Sequence, residues 1–266
     1  MKLAFIGDND LAGVEADAEF SQLHGYEGIE YNFWGGFKDL TKENVKQMAD
    51  IHKKYGARAS MLGLWGWNHL SLDKKVRAEA HAMLGRAIEY AKMLGADTIV
   101  TGAGDIQGEP VGRKVNEFKK VWPALFAKIE KAKLKPAFYA VHGNSFFDSL
   151  ETFEKVWVEF PDQVKIKFDP ANWKHHGDDY LEVARKYGHK IGYIHLKEHQ
   201  YNNGKLICEP ALGMGDIEWG KLMAWLYQHN YNGWLSVEPH GSHWSKGELR
   251  RKNLILSKRY ISQFLV

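Results

Sequence analysis

Apolar residues follow two spacings in turn along the chain. Continuous apolar runs at 2–6, 28–31, 57–64, 97–101, 136–141, 164–168, 191–196 and 234–237 have the length and character of strands covered on both faces. Between them the spacing lengthens to three and four residues. Val76, Ala80, Met83, Ala87, Ala91 and Leu94 show it, as do Val115, Phe118, Trp122, Leu125 and Ile129, and later Trp219, Leu222, Met223 and Leu226. That period marks amphipathic helices. Gly56, Gly95 and Gly188 stand where helices should stop, and Asp148 or Ser149 where one should start. Eight strand–helix units in ~250 residues predict an α/β protein, a (β/α)8 TIM barrel, as a single domain over residues 1–266. A doubly wound sheet competes, but its dinucleotide-binding form needs a glycine-rich first turn. Here the first strand runs into Gly7-Asp8-Asn9-Asp10, with no G-x-G-x-x-G.

Composition narrows the function classes. With 44% apolar and 26% charged residues, the chain has enough apolar surface for a large core and is not of the disordered type. A formal charge of +3 over 266 residues is too weak for a nucleic-acid footprint, and no apolar run approaches the ~20 residues of a membrane span. The basic residues Arg250, Arg251, Lys252, Lys258 and Arg259 read as the solvated face of a last outer helix. The single cysteine, Cys208, excludes an internal disulfide and a cysteine-based zinc site. No secretion signal opens the chain, because Asp8 and Asp10 follow the first apolar run at once. The expectation is a cytoplasmic protein without nucleic-acid or membrane partners.

In a (β/α)8 barrel the chemistry gathers at the carboxyl ends of the strands. Those ends carry Glu30, Trp34, Trp67, Asn68, His142, Asp169, Asn172, His195, Lys197 and Glu238. Asp169, His195 and Glu238 terminate three successive strands, and one imidazole with two carboxylates suits a divalent ion with positions left open for substrate oxygens. Each residue alone also reads as a capped or ion-paired strand end. Trp34, Trp65, Trp67, Trp173 and Trp244 fall at rim positions, where flat apolar faces can stack on sugar or cyclitol rings; packing under loops is the plainer reading. Thr101-Gly-Ala-Gly104 is uncharged, so an unphosphorylated polyol is favoured over a phosphate ester.

The segments Lys167-Phe-Asp-Pro-Ala-Asn172, His195-Leu-Lys-Glu198, Gly213-Met-Gly-Asp-Ile-Glu-Trp219 and Gly233-Trp-Leu-Ser-Val-Glu238 resemble the xylose-isomerase-like sugar phosphate isomerase/epimerase superfamily over essentially the whole chain. The resemblance implies one divalent metal, Mn²⁺ before Mg²⁺, Co²⁺ or Zn²⁺, held by Glu, Asp, His and Glu from strands five to eight. Asp169, His195 and Glu238 match the last three. Where members read Glu-x-His-Gly, this chain has Ala140-Val141-His142-Gly143, and alanine binds nothing. Three accounts stay open: His142 supplies the ligand, the chain is a weakly metallated binding member, or Ala140 is an introduced change.

The resemblance further implies proton abstraction next to a carbonyl on a sugar, keto-sugar or cyclitol, through an enediolate. Glu238 and His142 are then the acid/base groups, and Lys197 steadies the developing oxyanion; a salt bridge from Lys197 to Glu198 is the plainer alternative. Trp34, Trp67, Asn68, Asn172, Trp173 and Lys197 are the candidate substrate contacts, and Glu30 is either a further acid/base group or a structural carboxylate of the barrel mouth. Isomerisation or epimerisation leads, elimination by a lyase or dehydratase and a catalytically impaired sugar-binding member follow, and a homo-oligomer is compatible with each. A DNA-repair endonuclease of the same fold is disfavoured. Asn172 replaces the histidine expected three residues after Asp169, and the Glu209-Pro210-Ala211 region lacks the Asp-x-His pair of a trinuclear site.

Overall fold

The computed structural model describes residues 1–140 and 143–266. In chain order the elements are β1 (Lys2–Ile6), α1 (Leu11–His24), β2 (Gly28–Phe33), α2 (Lys42–Tyr55), β3 (Ala59–Leu64), α3 (Lys74–Met93), β4 (Thr98–Thr101), α4 (Val111–Lys131), β5 (Lys135–Tyr139) and α5 (Leu150–Trp157). There follow β6 (Ile166–Phe168), α6 (Pro170–His176), α7 (Tyr180–Tyr187), β7 (Ile191–Leu196), β8 (Gln200–Asn202), β9 (Lys205–Cys208), α8 (Trp219–Gln228), β10 (Trp234–Val237) and α9 (Gly247–Ser262). Eight strands form the closed parallel sheet of a (β/α)8 barrel, in the order β1-β10-β7-β6-β5-β4-β3-β2. Each of the eight apolar runs contributes one of its strands. β8 and β9 form a separate antiparallel hairpin that the apolar pattern did not announce.

Several bounds differ from the apolar runs, for identifiable reasons. The run at 57–64 starts as a strand only at Ala59, because the Ala57 N–H closes the end of α2 on the His52 carbonyl. The run at 164–168 starts at Ile166, since the Val164 carbonyl accepts from Trp157 Nε1 in the turn after α5. β2 runs on to Phe33, which pairs in register with Leu64. Gly56 and Gly95 take the left-handed conformation at φ 65° and 74°. Gly188 does not: at φ −53° it leads α7 into a short 3₁₀ turn, Gly188–Lys190. Ser149 is the residue that caps α5.

The chain divides into two compact units, Gly7–Lys167 and Met1–Ile6 with Phe168–Val266. In the first, β2 to β6 pair side by side. Its core is aromatic: Phe118, Trp122 and Phe126 of α4 meet Phe138 at 4.7–6.2 Å in edge-on pairs. Trp122 is fully buried and donates its Nε1–H to the Ala103 carbonyl, so its one polar atom is satisfied. In the other unit β1, β10 and β7 pair in parallel, with Ser236 opposite His195 and Val237 opposite Leu196. No helix among the described residues is long and apolar enough to cross a membrane.

His52 is buried within α2 and its Nε2 lies 2.6 Å from the Tyr31 hydroxyl. Burial pushes its imidazole down to about 4 from an ordinary 6.5. Between those values the unfolded chain takes up a proton that the folded chain refuses, so stability falls as pH drops from 6.5 towards 4. Denaturant melts across that range should show a loss of about 3 kcal/mol from this residue. His52→Gln, which keeps a partner for the Tyr31 hydroxyl, should flatten the curve by that amount. His69, held near 3 by burial, should leave a residual slope.

Candidate metal centre

The strand-end geometry grows out of local sequence. β6 ends at Phe168, and Asp169-Pro170 then starts α6: proline suits the first helical position and aspartate the cap. Asp169 Oδ1 accepts from the Asn172 backbone N–H at 3.0 Å. The other oxygen, Oδ2, faces Lys197 Nζ at 3.1 Å and His195 Nδ1 at 3.9 Å. The period of two along β7 sends Tyr193, His195 and, just past the strand, Lys197 to one side. Glu238 lies two residues beyond Ser236, the register partner of His195, and its N–H extends the ladder to the Leu196 carbonyl. Its Oε2 sits 2.5 Å from His195 Nδ1 and 3.8 Å from Lys197 Nζ.

Among the described residues, Asp169, His195 and Glu238 form the group whose ligand atoms all lie within 4.8 Å of one another. Two carboxylate oxygens and one imidazole nitrogen at that spacing suit a divalent ion, and three ligands leave coordination positions free. Lys197 is 3% exposed and also donates to Asn172 Oδ1 at 2.6 Å. Burial works against its charge, but the facing Asp169 and Glu238 outweigh that, and its pKa stands above the ordinary lysine value. Lys197 is thus an ammonium aimed at the cluster.

Glu198, the neighbour expected to pair with Lys197, points the other way. Its carboxylate accepts from the N–H groups of Gly213 and Ile217 and from Trp219 Nε1 at 2.8–3.0 Å, pinning the segment ahead of α8. Beyond it a second layer escaped the sequence reading. Glu209 Oε1 lies 2.6 Å from His240 Nδ1 and 3.4 Å from His199 Nε2, and His199 Nδ1 lies 3.2 Å from the Tyr201 hydroxyl. Burial and Lys197 push His199 down to about 4 against the pull of Asp169 and Glu209. The signal for His199 was available, since it continues the alternation of His195 and Lys197. Glu209 and His240 are brought in by the β8–β9 hairpin and the turn after β10, which carry no such pattern.

The remaining candidates belong to the other unit, apart from Trp244 and from Trp173, which is buried in α6 with its ring 6.1 Å from Phe168. Glu30 is fully buried and accepts from Asn32 Nδ2, while Asn32 Oδ1 accepts from Trp65 Nε1. Trp34 stacks on Trp65 at 5.4 Å, and Trp65 on Tyr139 at 4.3 Å. Trp67 is buried with Lys38 Nζ 5.4 Å from its ring. The Asn68 amide bonds the backbone of Asp105 through both its ends, fastening two loops together. Ala140 is buried, and by strand alternation shares the side of Phe138, whose ring packs on α4. His142 lies outside the described residues.

Comparison with known proteins places this geometry. A family model described as xylose isomerase-like TIM barrel matches residues 19–259. An inosose dehydratase of Clostridium tetani is 26% identical over 126 residues, 42% of this chain and 42% of that protein. One of Clostridium perfringens strain 13 is 24% identical over 200 residues, covering 65% of this chain and 67% of the relative. The chain thus spans about two fifths of the length of the Clostridium tetani relative. Among solved structures, D-allulose 3-epimerase from Methylomonas sp. superposes with a TM-score of 0.79 at 16% identity, covering 100% of this chain and 98% of the other. The IolI protein, crystallised with a zinc atom, superposes at 0.78 and 19% identity, with 100% and 98% covered. At such identities the structures attest the fold.

The Glu198 anchor is open to a direct check. Glu198→Ala leaves the backbone N–H groups of Gly213 and Ile217 and the Trp219 indole without this acceptor, and should cost about 3 kcal/mol in chemical denaturation. Glu198→Gln keeps a carbonyl oxygen and should recover part of that loss.

Proposed function

The chain belongs to the xylose isomerase-like TIM barrel family, and on that premise we propose that it is a divalent-metal-dependent enzyme acting on an unphosphorylated sugar, keto-sugar or cyclitol by removing a proton next to a carbonyl. The observation that carries the reading is the Asp169–His195–Glu238 cluster with the Lys197 ammonium aimed into it. Asp169, His195 and Glu238 would hold the ion. A divalent ion held there would supply Lewis-acid polarisation, which acidifies a C–H next to a carbonyl. Mn²⁺ is the leading candidate, and the zinc bound by the structurally similar IolI protein supports a divalent ion of this size.

The chain's own groups divide the remaining work. Glu238, the less buried of the two carboxylates, takes up the proton. Lys197, oriented by Asn172 and Asp169, places its charge where negative charge develops on the substrate oxygen. Isomerisation or epimerisation follows if the proton returns to a neighbouring carbon or to the opposite face. A second reading is elimination of water or a glycosidic oxygen. The similarity to inosose dehydratases supports it.

The purified protein equilibrated with Mn²⁺ should retain about one ion per chain, and His195→Ala should lose it. Lys197→Met should keep the metal yet slow deuterium uptake from solvent into ketose or inosose substrates by roughly 100-fold. Equal metal content in the wild type and His195→Ala overturns the proposal. Loss of water from an inosose, in place of deuterium uptake without net loss, decides for elimination.

A further inference from the structure

After β10 the chain turns through Glu238-Pro239-His240-Gly241. The turn is held in three ways. Pro239 fixes its own φ, the Ser245 hydroxyl donates to the Gly241 carbonyl at 2.6 Å, and Gly241 is left-handed at φ 74°. A Cβ at Gly241 would lie 2.6 Å from Glu209 Oε2 and 3.2 Å from the Glu209 Cβ. The turn is thus shaped to admit the Glu209 carboxylate, which stands just past β9 in the same Phe168–Val266 unit and is mostly enclosed.

The polar contacts around Glu209 share one direction. An ionised carboxylate only accepts, so His240 Nδ1, 2.6 Å from Oε1, carries the hydrogen. His199 Nε2 faces the same oxygen at 3.4 Å. Burial keeps that imidazole neutral, so with its hydrogen on Nε2 its Nδ1 accepts from the Tyr201 hydroxyl at 3.2 Å. The Tyr201 oxygen is left to accept from His175 Nδ1 at 3.3 Å. Each donor in the chain points towards Glu209, which ends it.

For His240 the consequence is a fixed tautomer. With the hydrogen on Nδ1, the neutral ring presents a lone pair at Nε2. That nitrogen lies 4.0 Å from Glu238 Oε1, too far for a direct hydrogen bond, and the ring is half-exposed. A ligand that reaches Glu238 therefore meets an oriented acceptor beside it. Such an acceptor rewards a hydroxyl donor and penalises its loss.

We propose that His240, positioned by Glu209 and by the space Gly241 leaves for it, selects substrates by accepting a hydrogen bond from a hydroxyl beside Glu238. The inference rests on reading the Asp169–His195–Glu238 cluster as the active site.

Two measurements test it. Nitrogen-15 spectra of the imidazoles in the purified protein, at about pH 8.5 and so well above the ordinary imidazole value, should show the His240 hydrogen on Nδ1. Glu209→Gln, which keeps a carbonyl acceptor, should preserve that tautomer; Glu209→Ala and Gly241→Ala should both lose it. A neutral His240 with its hydrogen on Nε2 overturns the proposal, and this result needs no metal. Mn²⁺-loaded protein is then titrated calorimetrically with scyllo-inosose and with its monodeoxy and mono-O-methyl analogues. Changing one hydroxyl should weaken binding to the wild type by roughly tenfold. His240→Ala should lose that discrimination at that position alone. Discrimination that survives in His240→Ala, or a metal-loaded wild type that distinguishes none of the analogues, overturns the proposal and leaves the metal reading standing. A wild type that retains no Mn²⁺ defeats the metal reading itself, and the proposal with it. Circular-dichroism melts of each variant separate altered recognition from altered fold.

Discussion

The strand ends of β6, β7 and β10 depend on one balance of buried charge. Asp169 and Glu238 are carboxylates placed within 4 Å of each other's partners, and Lys197, nearly enclosed, is the cation that faces both. Two carboxylates set together without a cation would repel, and one would take up a proton. The ammonium offsets that repulsion, and Asn172 keeps the ammonium in place. Removing one member of such a buried set is costly, because the charges left behind lose their compensation. The same two carboxylates, with His195, are the groups we propose to hold a divalent ion.

How much of this could be read from sequence differs from layer to layer. The barrel was legible because eight apolar runs alternate with helical periods, a pattern that burial on both faces imposes on every strand. Asp169, His195 and Glu238 were legible because each ends an apolar run. The β8–β9 hairpin was not, since its strands are only three and four residues long and carry no apolar alternation; its Asn203-Gly204 turn, with both residues left-handed at φ 49° and 74°, was the available sign. Glu198 illustrates a different limit. Its neighbour Lys197 suggested a salt bridge, but successive residues at a strand end face opposite ways, so adjacency in sequence argued for separation in space.

Position 140 shows where a correspondence carried over from a family meets the geometry of one chain. Alternation along β5 sets Tyr139 against Trp65 and Phe138 against the aromatic rings of α4. Ala140, which is buried, shares the side of Phe138. The aromatic rim divides similarly on inspection of its surroundings. Trp67 and Trp173 are buried and Asn68 is consumed in fastening loops, whereas Trp34 alone of the three rim tryptophans proposed to touch substrate presents its ring to solvent.

Asp169 spends its two oxygens on different tasks, one on the first turn of α6 and one on the cluster. Its carboxylate is consequently oriented by a backbone N–H. The tie also runs in reverse: a substitution that removes this carboxylate takes away at once the cap of a helix of barely two turns and an ion-pair partner of the buried Lys197.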